Sequence, residues 1–82
     1  MALVAGEQFP DNLACLTCAH VLAGSPIHLI ARDDDGDWQF LCNRPHDDTD
    51  ARVIGLSEAV SLEPRLSAVA KLGANESVTL PA

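Results

Sequence analysis

Asp35-Gly36 constrains this chain more than any other pair of residues, because it stands between two apolar runs, residues 27–31 and 38–42. An Asp-Gly pair flanked in this way marks a β-hairpin with a two-residue type I′ turn, whose central positions both need positive φ. Such a turn sets Asp34 opposite Asp37, Ala31 opposite Phe40, Ile30 opposite Leu41 and Leu29 opposite Cys42. Side chains alternate across a strand, so Ile27, Leu29, Ala31, Trp38, Phe40 and Cys42 are expected on a core face. His28, Ile30, Arg32, Gln39 and Leu41 fall on a mixed, partly covered face.

Around this hairpin the chain supplies little else that is long. Residues 1–11 read as a loosely held arm ending near Pro10. Residues 12–23 admit two readings. Asp11 or Asn12 caps a short helix with Leu13, Leu16 and Val21 inward. Alternatively residues 15–20 form a metal knuckle, followed by a short strand at Val21-Leu22; the knuckle is preferred, although Ala19 stands where a Gly is usual. Gly24-Ser25-Pro26 is a turn, and residues 43–50 are polar loop. Residues 52–56 read as a third strand, a neighbour for the hairpin through Val53-Ile54. Ser57 can cap a brief helix through Val60. Leu62, Leu66, Val69 and Leu72 then recur at helical spacing, with Pro64 in the first turn and Gly73 at the stop. Residues 77–80 alternate weakly as a last strand. The fold class expected is α+β: one domain over residues 1–82, with a small antiparallel sheet built on the hairpin and one or two C-terminal helices.

An 82-residue chain buries only roughly 60–65% of its unfolded surface, so a metal, a disulfide or a partner matters to its stability. Its formal charge is -7, and the five basic residues (Arg32, Arg44, Arg52, Arg65, Lys71) are scattered singly. Without a basic patch, nucleic acid and anionic membrane are excluded as partners. The acidic surface favours either a basic protein partner or plain solubility. No apolar run approaches the ~20 residues of a membrane span, and residues 1–9 lack the basic start of a secretory signal. The expectation is a cytoplasmic protein with reduced thiols.

Three cysteines are too few, and odd in number, for a disulfide framework. They suit a metal instead. Cys15 and Cys18 form C-x2-C, Cys42 and His46 form C-x3-H, and the hairpin brings Cys42 back toward the cysteine turn. Two short chelating pairs of thiolate and imidazole are what a tetrahedral structural zinc takes, so Cys15, Cys18, Cys42 and His46 are the expected ligands, with His20 as the substitute fourth. A second possibility is a glutaredoxin-like thiol-disulfide oxidoreductase working through Cys15 and Cys18. Haem attachment fails, because Ala19 separates Cys18 from His20. An EF-hand fails as well: with Gly36 at the sixth position, Ala31 and Cys42 occupy the first and twelfth. The acidic tip of Asp33, Asp34, Asp35 and Asp37 is read as an exposed turn, and no orienting residue or oxyanion hole supports a Cys-His hydrolase.

Several blocks together, Cys18-Ala19-His20-Val21, Pro26-Ile27, Asp35-Gly36-Asp37-Trp38-Gln39-Phe40-Leu41-Cys42, His46, and Glu63-Pro64-Arg65-Leu66 with Leu72-Gly73, resemble a group of small bacterial proteins of unknown function. That group is similar in turn to immunity proteins of bacterial toxin systems. The resemblance spans residues 15–73, and the block around Trp38 is its distinctive part. Asn43 stands where the pattern has Gly, and Asn tolerates a left-handed backbone. The resemblance implies a bacterial, non-catalytic single domain; the function expected for the chain is a protein-interaction module, immunity-like in kind and stabilised by zinc.

Overall fold

The fold, a computed structural model, describes residues 1–45 and 48–81; His46, drawn into the expected ligand set, lies outside the described residues. In chain order the elements are β1 (Ala2–Val4), β2 (Glu7–Phe9), β3 (Ala14–Cys18), α1 (Ala19–Leu22), β4 (Leu29–Arg32), β5 (Trp38–Leu41), β6 (Ala51–Gly55), α2 (Leu56–Leu62) and β7 (Ser77–Thr79), with 3-10 turns at Asp48–Asp50 and Pro64–Ala68. The class is α+β. Five strands form one sheet in the order β6-β3-β5-β4-β7, and β1 and β2 pair separately. The sheet is mixed rather than antiparallel throughout, because β3 runs parallel to β5. β3 also separates β6 from the hairpin, so Val53-Ile54 pairs with Leu16 and Cys15 and does not touch the hairpin edge.

β4 and β5 form the expected hairpin, one residue out of the expected register. Leu29 pairs with Leu41, Ile30 with Phe40, Ala31 with Gln39 and Arg32 with Trp38. The cause is the Asp33 side chain. Its Oδ1 accepts hydrogen bonds from the Asp35 and Asp37 amides, both at 2.9 Å, while the Gly36 amide donates to the Asp33 carbonyl and the Asp33 amide to the Asp37 carbonyl. The loop therefore holds three residues, with Gly36 at φ 86 as its left-handed position, the three-residue hairpin of a type I turn and a bulge. A one-residue slip exchanges faces. Ile30, in place of Leu29 and Ala31, joins Trp38 and Phe40 in the core, where Ile30 and Phe40 are fully buried.

The two-residue turn with positive φ at both positions occurs at the N-terminus instead, at Ala5 (φ 51) and Gly6 (φ 76) between β1 and β2. Residues 1–11 are thus no loose arm. Ala2, Val4 and Ala5 are buried, the Ala5 amide donates to the Leu66 carbonyl, and the Ser67 hydroxyl donates to the Leu3 carbonyl. Phe9 meets Trp38 edge-on, ring centroids 5.8 Å apart, and Trp38 stacks on Phe40 at 5.8 Å. Val4, Leu56, Ala59 and Leu66 complete this core. The opposite face of the sheet, with Leu16, Leu29, Leu41 and Val53, is covered far less, and Val53 is 71% exposed.

The C-terminal helices differ from expectation in length and place. Helix α2 begins at Leu56, and its first amides are satisfied by main-chain carbonyls: Leu56 donates to Leu13 and Ser57 to Asp11. It stops at Leu62 because the residue before a proline is driven out of the helical region, and Glu63 sits at φ -142, ψ 89 before Pro64. The Glu63 carboxylate caps the short turn Pro64–Ala68 by accepting from the Arg65 amide and guanidinium, which hold it below the usual carboxylate range. No helix continues to Leu72; Leu66 and Leu72 are buried from a 3-10 turn and an irregular segment.

Arg32 ties these parts together. Its guanidinium lies 4.8 Å from the Trp38 ring centroid and donates to the carbonyls of Gly36 (3.0 Å) and Leu72 (2.9 Å). A Cβ at position 36 would come within 3.3 Å of Arg32 Nη2, a second reason for Gly36. A lysine cannot make this fork while lying flat on an indole. Arg32→Lys should cost about 1–2 kcal/mol, read as a lower urea midpoint with unchanged slope. The exposed Lys71–Glu7 pair (3.2 Å) is the control: Lys71→Ala should leave the midpoint where it is.

Candidate metal centre

β3 and β5 are parallel neighbours with Thr17 beside Phe40, so their C-terminal ends lie at the same edge of the sheet. Cys18 is the last residue of β3 and Cys42 follows the last residue of β5. The chain turns at Cys18 (φ -121, ψ 158) into α1, whose second residue is His20. These three residues meet. Cys18 Sγ lies 3.5 Å from Cys42 Sγ, and Cys42 Sγ lies 3.5 Å from His20 Nδ1. One donor atom from each falls within 4.8 Å of the others, close enough to hold a metal ion. Both thiols are buried and the imidazole is half-buried. Thr17 secures the ladder underneath: its buried hydroxyl donates to the Phe40 carbonyl at 2.6 Å.

Cys15 is not part of this group. Residues 15–18 form a strand and not a knuckle, and three extended residues carry Cys15 about 10 Å from Cys18. The Cys15 thiol instead turns toward the Ile54 carbonyl at 3.5 Å. Burial first, and then the negative charge of Glu58, push that thiol up to about 11. The same strand holds Cys15 and Cys18 too far apart to close on each other, since disulfide partners need Cα atoms within about 7 Å. Burial also raises the Cys42 thiol, with Cys18 beside it adding to the effect against backbone hydrogen bonds that lower it.

Among the expected ligands, then, the fold unites Cys18 and Cys42, promotes the substitute His20, and leaves Cys15 elsewhere. The spacing Cys18-x-His20 at a strand end was the signal for His20: a strand gives one donor and the first helical turn the next. A second group, Asp33, Asp35 and Asp37, also gathers oxygens within 4.8 Å. There Asp33 Oδ1 already accepts two turn amides, so the cluster is explained by the hairpin loop. Among the described residues no helix is long and apolar enough to cross a membrane. Comparison with protein-family models, with curated proteins and with solved structures finds no match for this chain.

Proposed function

We propose that the protein is a non-catalytic interaction domain of bacterial, immunity-like type, in which a structural zinc ion held by Cys18, His20 and Cys42 clamps the end of the β3–β5 ladder. The observation that carries the metal is the spacing of the donors. Zinc–sulfur and zinc–nitrogen bonds of ~2.3 and ~2.05 Å at tetrahedral angles put sulfur about 3.8 Å from sulfur and about 3.6 Å from nitrogen. The two separations here are both 3.5 Å. Both cysteines are at 5% exposure or less, and the three donors leave the fourth position of a zinc tetrahedron to a ligand from outside this group.

The interaction role rests on charge and on the thinly covered sheet face. A shallow cavity of about 230 Å³ is lined by Ala14, Leu16, Gln39 and Val53 together with Asp33 and Asp37. Apolar side chains beside two carboxylates, on a chain of charge -7, suit a basic protein partner.

Elemental analysis of protein purified without added metal tests the centre. About one zinc per chain is expected, retained by Cys15→Ser and lost by Cys18→Ser. Equal zinc in both variants, or none in the parent, would overturn the ligand assignment.

A further inference from the structure

We propose that Cys18 and Cys42 form a reversible oxidation site, closed to a disulfide by a peroxide, and that closure removes two of the three donors of the metal centre. The release of metal rests on the zinc reading above; the disulfide itself does not.

The geometry is that of a pair waiting for a bond. Their sulfurs are 3.5 Å apart, so closure to a bond of ~2.05 Å needs little more than side-chain rotation. The backbones agree. Thr17 and Phe40 are parallel partners, which puts Cys42 one strand rise (~3.3 Å) beyond the neighbour of Cys18 across a ~4.8 Å strand spacing. The implied Cα separation is about 5.8 Å, within the range of disulfides and near its mode. The third cysteine cannot compete, since Cys15 stands three residues back along β3 with its thiol on the Ile54 carbonyl.

The chemistry balances with hydrogen peroxide as oxidant. The sulfur of Cys42, the residue slightly more exposed of the two, attacks one peroxide oxygen. The O–O bond breaks, and the departing hydroxide takes up the thiol proton as water, leaving a sulfenic acid on Cys42. Cys18 sulfur then attacks Cys42 sulfur. The S–S bond forms as the S–O bond breaks, and the second hydroxide leaves as water with the Cys18 proton. Two electrons pass from the sulfurs to the peroxide, and a dithiol reverses the step by exchange. In the metal-bound protein both sulfurs are thiolates, so the two protons that complete the waters come from solvent, and the ion, having lost both thiolates, is released.

The test treats the purified full chain, and its Cys15→Ser variant, with a small excess of hydrogen peroxide. Alkylatable thiols under denaturing conditions should fall from three to one in the parent and from two to none in the variant. The intact mass should drop by about 2 Da, with peptide mapping joining Cys18 to Cys42. Zinc should appear on a chromogenic chelator in step with thiol loss, and dithiothreitol should restore the thiols. Sulfinic acid on Cys42, a link to Cys15 or a link between chains would overturn the proposal. If the protein carries zinc and keeps both thiols, the oxidation site fails and the metal centre stands. If it carries no zinc but forms the bond, the reverse holds.

Discussion

Stripping the proposed zinc with a strong chelator should lower the melting temperature of this protein by about 15 °C or more. The magnitude follows from size. Structural zinc contributes on the order of 10 kcal/mol of apparent folding energy, whereas a chain of this length is worth only a few kcal/mol without a staple. Each kcal/mol moves the midpoint of so small a domain by about 4–8 °C. The position of the donors says where the loss is felt. Cys18, His20 and Cys42 gather at the C-terminal ends of two parallel strands, which are also joined by their ladder and by the Thr17 hydroxyl on the Phe40 carbonyl. The far end of the hairpin is held independently, by Asp33 over its own turn and by Arg32 on Gly36 and Leu72. Chelation should therefore release α1 and the ends of β3 and β5 first, and amide exchange should rise there before it rises at residues 30–38. Cys42→Ser should melt like the chelated protein and ignore further chelator. Cys15→Ser should respond to chelator as the parent does. Protein that demonstrably carries zinc and melts at the same temperature after its removal would sink this expectation.

The parts of this fold that sequence reasoning reaches are those in which neighbours along the chain decide the outcome. The hairpin of β4 and β5 is legible because turn residues and alternation lie within one short stretch. Its register is not legible, since Asp-Asp-Asp-Gly-Asp offers several turns and the choice depends on which Asp side chain captures the loop amides. The N-terminal hairpin escapes for a related reason: its turn puts Ala5 at φ 51, a conformation ordinarily left to Gly, Asn or Asp. That position is supported from outside, by the Leu66 carbonyl that accepts its amide. Helical spacing at Leu62, Leu66, Val69 and Leu72 finds two buried residues, Leu66 and Leu72, but Leu62 is exposed, Pro64 forces Glu63 extended and no helix carries through.

The site divides along the same line. Cys18 and Cys42 stand out by residue type and by the return of the hairpin. Cys15 and His20 cannot be ranked from spacing alone. The decision turns on β3 being a strand, and β3 owes that to two partners distant in sequence, β5 and β6. A C-x2-C in a turn is a chelate, whereas in a strand it is two thiols facing different surroundings.

Phe40→Ala should be the most damaging single substitution outside the metal centre, costing about 3–5 kcal/mol, most of what such a domain has. Phe40 is fully buried on β5, the middle strand of the sheet. It faces Ile30 and Thr17 across its two ladders and stacks on Trp38. Truncation would open a cavity beneath the indole that stacks on it. Phe40→Leu keeps most of the volume and should cost about 1 kcal/mol. Val53→Ala, on the exposed sheet face, should change stability by no more than about half a kcal/mol. Urea unfolding followed by Trp38 fluorescence gives all three midpoints, and zinc content measured on the Leu variant separates loss of core from loss of the metal centre. A Phe40→Ala midpoint close to that of Val53→Ala would mean that the core is not organised on β5, and that the parallel pairing which brings Cys18 to Cys42 is wrong with it.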